Sequence, residues 1–152
     1  MSYSSDIKKM IRHLEKVKSN VHTELGNAVA DCCLKVQSEA MKGMTNTEVD
    51  NSRTYGRHGH HPSVPYAYPA VDTGALRRSI TFEVEEDGGS VKGVVGSTIT
   101  NPPYPAYLEY GNPAYLEYGN SKMKPRPWMT PALESSMDYI KARFEKAMKD
   151  SV

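Results

Sequence analysis

Three groups of residues have types and spacings that could carry chemistry. His58, His60 and His61, within RHGHHP, put three imidazoles into four positions. Imidazole is the commonest metal-ligating side chain, but zinc takes three or four ligands at fixed geometry, and the flanking sequence offers no cysteine or clear acidic partner. The cluster reads as a polar loop, with a small metal-binding enzyme as the alternative. Glu109 and Glu117 form a carboxylate pair of the kind used in acid–base and glycosidic chemistry. Their flanks are identical, because Pro105–Asn112 and Pro113–Asn120 both read PAYLEYGN; the pairing is therefore a by-product of copying. Finally, Arg77, Arg78, Lys122, Lys124 and Arg126 are mixed with Tyr104, Tyr107, Tyr115 and Trp128. Such a mixture can bind nucleic acid, and a DNA-contacting adaptor is one reading. Glu83, Glu85, Glu86, Asp87 and the repeat glutamates dilute it. Tyr, Trp, Met and Arg are also the residues enriched between proteins, and protein contact is the favoured reading.

The sequence has no G-x-S-x-G, Walker A, G-x-G-x-x-G after a strand or H-E-x-x-H, so nothing in it calls for catalysis or a cofactor. A length of 152 residues suits one domain. A hydrophobic fraction of 38% is low, so part of the chain is expected to be extended or ordered against partners. The net charge of +1 gives no global case for nucleic acid or an anionic membrane. No apolar run reaches membrane-spanning length, and MSYSSDIKKM has no apolar core of a secretory signal. Cys32 and Cys33 are adjacent, poorly placed to bridge each other on a helix, and are expected to be reduced, on or near a core face. Synthesis in a cytosol is the corresponding expectation.

The elements that must position these residues follow from periodicity. Ile7, Ile11, Leu14, Val17, Val21, Leu25, Ala28, Cys32, Val36 and Ala40 recur every three or four residues, which predicts one long helix over 6–43. Ser4 or Ser5 could cap it, Gly26 could bend it and Gly43 could stop it. A helix of that length outruns a small core, so part of its stripe should face another subunit. Residues 44–71 are rich in Gly, Pro, Asn and Tyr and read as a long extended loop or arm. Over 72–128, a short turn capped by Asp72 or Thr73 leads to a strand alternating Ile80, Phe82 and Val84, then a turn at Asp87-Gly88-Gly89, then a second strand through Val91, Gly93 and Val95. Prolines are expected to keep the following segment irregular until Trp128. A C-terminal helix over 129–150 should turn Leu133, Met137, Ile140, Phe144, Ala147 and Met148 inward. The fold class is α+β: a long N-terminal and a C-terminal helix on a small antiparallel sheet.

Three ordered segments resemble a known family. They are VDTGALRRSI (Val71–Ile80), VVGS (Val94–Ser97) followed by Y-x-x-Y-L-E-Y-G (Tyr104–Gly111), and KMKPRPWMTPAL (Lys122–Leu133). Together they are similar to the tail-completion or head–tail joining proteins, often described as minor tail components, of long-tailed bacteriophages. The resemblance spans roughly residues 65–140. It implies a non-enzymatic virion protein of the neck, made in the host cytoplasm and acting in a homo-oligomeric ring, sixfold when assembled. The implied partners are other neck and tail proteins: connector or stopper, and tail terminator or tube. No membrane is implied, and DNA contact only in the channel.

Within this frame Tyr55, Tyr66, Tyr68, Tyr107, Tyr110, Tyr115, Tyr118, Arg126 and Trp128 are the interface candidates. Trp128 serves as an interface or core anchor. Asp72, Thr73, Gly74 and Leu76 should build the turn before the hairpin, while Pro125, Pro127 and Pro131 stiffen the approach to the last helix. The family pattern holds one PAYLEYGN. The extra copy is expected to form a loop or arm that leaves the fold intact, since eight residues cost little loop entropy.

Overall fold

A computed structural model of the chain describes residues 3–54, 59–99, 113–119, 121 and 124–151. Helix α1 runs without interruption over Tyr3–Thr45, 43 residues or about 65 Å. Asp6 in its first turn and Lys42 in its last suit the helix dipole. Neither glycine acts as expected. The helix passes through Gly26, where an added Cβ would lie 3.5 Å from the Glu86 carboxylate, and past Gly43. Gly43 instead lets the Tyr68 ring lie on the helix backbone, in space that a Cβ would occupy.

The short helix α2 (Ala75–Ser79) leads into strand β1 (Ile80–Asp87), which pairs antiparallel with β2 (Ser90–Ser97). The register runs from Ile80 opposite Ser97 to Asp87 opposite Ser90. Gly88 and Gly89 turn the hairpin with φ of 55° and 98°, the paired positive values a two-residue hairpin turn requires. Phe82, Val84, Val91 and Val95 share the sheet face that meets α1. Gly93 on that face brings the backbone so close that a Cβ would collide with Cys33 and Val29. The Gln37 amide donates to the Ile80 carbonyl at 2.7 Å and fixes the sheet's start on the helix.

Helix α3 covers Pro113–Tyr118 and helix α4 Met129–Asp150. The expectation that proline would block any helix before Trp128 fails at α3. Pro113 is its first residue, where the missing N–H has no partner to lose and the fixed φ already suits a helix.

α4 packs along α1 on a face rotated from the expected one, with Ala147 buried and Ile140 at the core edge as expected. Ala132, Ser136 and Ala147 are buried, while Leu133, Met137 and Met148 are exposed. The buried side of α1 is also made largely of small residues, with Ala28, Cys32, Cys33 and Ala40. Small side chains on both helices allow close approach, and that contact outweighs the larger residues' hydrophobicity. The Arg143 guanidinium bonds Asp31 of α1 at 2.7 Å along the same seam.

The core gathers Val36, Ala40, Met44, Ile80, Leu116, Trp128 and Ala132, edged by Tyr68, Leu76, Val95 and Ile140. Cys32 and Cys33 are unbridged and buried, and burial pushes both thiols up from their ordinary pKa. The architecture is α+β. Among the described residues no helix is long and apolar enough to cross a membrane.

Candidate interaction surface

Pro125 and Arg126 stitch three parts of the chain together. The Arg126 N–H donates to the Leu116 carbonyl at 2.6 Å, and the Arg126 side chain donates to the Ser63 carbonyl at 3.0 Å. The Pro125 carbonyl accepts from the Tyr66 N–H at 2.8 Å. Pro125, Pro127 and Pro131 are all half-buried. Pro131 falls in the first turn of α4, where an N–H is not needed.

Trp128 occupies the cap position of α4, but its side chain cannot cap and is buried in the core, 3% exposed. Glu117 supplies the cap from a distance. Its carboxylate accepts from the N–H groups of Trp128 (2.7 Å), Met129 (3.0 Å) and Thr130 (2.9 Å) and from the Thr130 hydroxyl (2.6 Å). Burial acts to raise the Glu117 pKa, but these donors outweigh it and hold the carboxyl below its ordinary value. Leu116 beside it is buried against the same core. Leu116 and Glu117 of the second PAYLEYGN copy are therefore seated in the fold. The first lies outside the described residues.

Sequence reasoning dismissed Glu117 as a duplicate. The signal that could have found it is a helix beginning at Trp-Met-Thr-Pro, with no capping side chain at Trp128 itself.

The expected aromatic interface residues separate. Tyr68 joins the core edge against Gly43, and its carbonyl accepts from the Thr47 hydroxyl at 2.8 Å. Burial, reinforced by the charges of Glu39 and Glu117, raises its phenol pKa. Tyr66 is exposed and carries φ of 68°, a left-handed conformation that costs a non-glycine residue about 1 kcal/mol or more. The bond to Pro125 holds it there. Tyr118 is 80% exposed at the end of α3. Tyr55, Tyr107 and Tyr110 lie outside the described residues, as does the Tyr115 side chain.

Among the described residues, the two limbs of the loop after α1 pair with each other. Val49 bridges Ser63, Asp50 N–H donates to Pro62 at 2.7 Å, and Val64 N–H donates to Glu48 at 3.2 Å. The turn before α2 is capped differently from expectation. Gly74, at φ 76°, holds the cap position, which neither Asp72 nor Thr73 could occupy without strain. The Thr73 hydroxyl accepts from the Ala75 N–H at 3.3 Å, and Asp72 faces His60 at 4.0 Å. His61 turns instead to the Arg53 carbonyl at 2.9 Å. His58 lies outside the described residues, and among the described ones no group of three potential metal ligands gathers.

Among the described residues, two helix surfaces carry grouped exposed apolar side chains. From residue 5 to 20 every α1 residue is exposed except half-buried Val17, so about 24 Å of helix overhangs the body. It carries Ile7, Met10, Ile11 and Leu14, all exposed. The outer face of α4 carries Leu133, Met137 and Met148. Single exposed apolar residues need no explanation, but grouped ones mark binding surfaces.

A family model described as "Bacteriophage HK97-gp10, putative tail-component" matches residues 8–111, more than two thirds of the 152-residue chain. The match takes in most of α1 and all of α2 and the hairpin, and it ends inside the first PAYLEYGN. Comparisons with curated proteins and with solved structures give no significant match.

Proposed function

Because this chain belongs to the HK97-gp10-like family of bacteriophage tail components, we propose that it is a structural protein of the virion neck, completing the tail end and joining it to the head connector. It acts as a single domain through protein–protein assembly and not through catalysis. Its partners are further copies of itself, sixfold when assembled, and the connector or stopper and tail terminator or tube on either side. The carrying observation is the family match. The physical support is the helix overhang, which leaves four large apolar residues uncovered by the described body.

Exposed Tyr66 and Tyr118 add contact residues beside a rigid seam. The strained Tyr66 backbone is a cost of the kind concentrated at functional positions. Pro125 and Pro127 limit what must be ordered on docking.

The test is a phage lacking this gene product. Filled heads and separate tails that join when the purified protein is added are the expected outcome. Normal joined virions in its absence would end the reading.

A further inference from the structure

The start of α4 is a recognition site that the chain fills from within. Leu116 is buried in the core cluster with Trp128 and Ala132. Its carbonyl accepts the Arg126 N–H at 2.6 Å. The Glu117 carboxylate takes the N–H groups of Trp128, Met129 and Thr130 and the Thr130 hydroxyl. The ligand of this site is a helical Leu-Glu segment. Two flanking residues shape its backbone: Pro113 opens α3, and Gly119 follows its end at φ 74°.

Each of these determinants occurs twice. Pro105, Leu108, Glu109 and Gly111 hold the same places in the first PAYLEYGN as Pro113, Leu116, Glu117 and Gly119 in the second. Identical octapeptides have the same intrinsic complementarity to one site, so only their connections to the rest of the chain distinguish them. The structure seats Leu116 and Glu117 of the second copy. The family match instead follows the chain from the hairpin into the first copy and ends at residue 111. Spacing from the hairpin thus selects the first copy, and spacing to α4 the second.

The connections allow either. With the second copy seated, residues 98–112 join β2 to α3, and residues 118–125 join Glu117 to Arg126. With the first copy seated, residues 98–104 and 110–125 would make the corresponding joins. The longer downstream loop adds little closure entropy. Residues 98–104 can reach about 23–25 Å when extended, and a chain with one copy would use this same connection. Pro102 and Pro103 stiffen it, which keeps the second copy as the resident.

We propose that the two PAYLEYGN copies are alternative ligands of this one site. The second copy occupies it, and the first takes over when the second is displaced, Leu108 replacing Leu116 and Glu109 replacing Glu117. The duplication then supplies a spare for a segment that provides both a core residue and a helix cap. Loss of the cap alone, as in Glu117→Gln, leaves Leu116 in the core and the second copy seated. Loss of Leu116 removes the larger share of the hold and passes the site to the first copy.

The test compares full-length Leu116→Asp, Leu108→Asp and L108D/L116D chains with the wild type in urea. Trp128 is the single tryptophan and is buried in the cluster that receives Leu116, so its emission reports whether the site is filled. L108D should match the wild type, and L116D should keep the emission of a buried tryptophan, because each retains one intact copy. The double variant retains none. Its folding constant should fall at least about tenfold below that of L116D, as for the loss of a buried leucine, with its emission shifted to the red. Hydrogen exchange identifies the occupant, since the substitution gives the two copies different masses. In L116D, protection should pass from residues 113–118 to residues 105–110.

An L116D chain that fails to fold, or is as unstable as the double variant, would overturn the proposal, because the first copy would then not reach the site. A double variant as stable as L116D, an L108D chain weakened tenfold, or protection that stays on residues 113–118 in L116D would overturn it as well.

Discussion

Glu117 caps a helix that its own sequence leaves uncapped. The four donors it satisfies would otherwise compete for water at the edge of the core. Glu117→Gln should therefore lower stability by about 1–2 kcal/mol, the range for losing a helix cap. A depressed carboxyl pKa contributes stability that is fully present above the unfolded-state pKa and is lost as pH falls through the folded one. The difference between wild type and E117Q should be complete at neutral pH and shrink below about pH 4.3, the ordinary glutamate value. Glu39 and Asp50 are also held low by hydrogen bonds that outweigh desolvation, so only that difference isolates Glu117; urea titrations of both chains at each pH measure it.

Trp128 gives a second test at this scale. It is the largest side chain in the core cluster, and Trp128→Ala should cost about 3–5 kcal/mol in the same titration. A cost near zero would place the ring outside the core.

At the scale of elements, the duplication has a sharp consequence. Removing Pro113–Asn120 yields the same sequence as removing Pro105–Asn112, since the copies are identical. The surviving leucine and glutamate keep their spacing to Trp128 and Thr130. The shortened chain should therefore fold with unchanged helicity and a stability within about 1 kcal/mol of wild type, given the small entropy of a changed loop. A chain that fails to fold would show that the extra residues are structural.

The elements were legible where a periodic signal governed them. The α1 stripe, the alternation of Ile80, Phe82 and Val84, and the Gly88-Gly89 turn each specify their own geometry. What stayed hidden depends on contacts distant in sequence. The inward face of α4 is set by the small residues of α1, so hydrophobicity alone selected Leu133 and Met137 instead of Ala132 and Ser136. Gly43 and Gly74 likewise answer to Tyr68 and to backbone handedness, and neither acts as a simple stop or spacer.

At the scale of the molecule, the chain is a tail component of a bacteriophage family, and its shape suits assembly. A helix of 43 residues anchored at one end presents the other to solvent. Nothing in the described body stabilises the overhang by packing, and helices gain most of their stability from packed faces. Its apolar stripe could not be recognised as uncovered from periodicity, because a stripe looks the same whether its own chain or a neighbour buries it.

Residence in the virion neck is tested directly by electron microscopy of phage carrying a labelled copy. Density from the label should be confined to the junction of head and tail. Label along the tail shaft, at its distal tip or absent from the particle would contradict it.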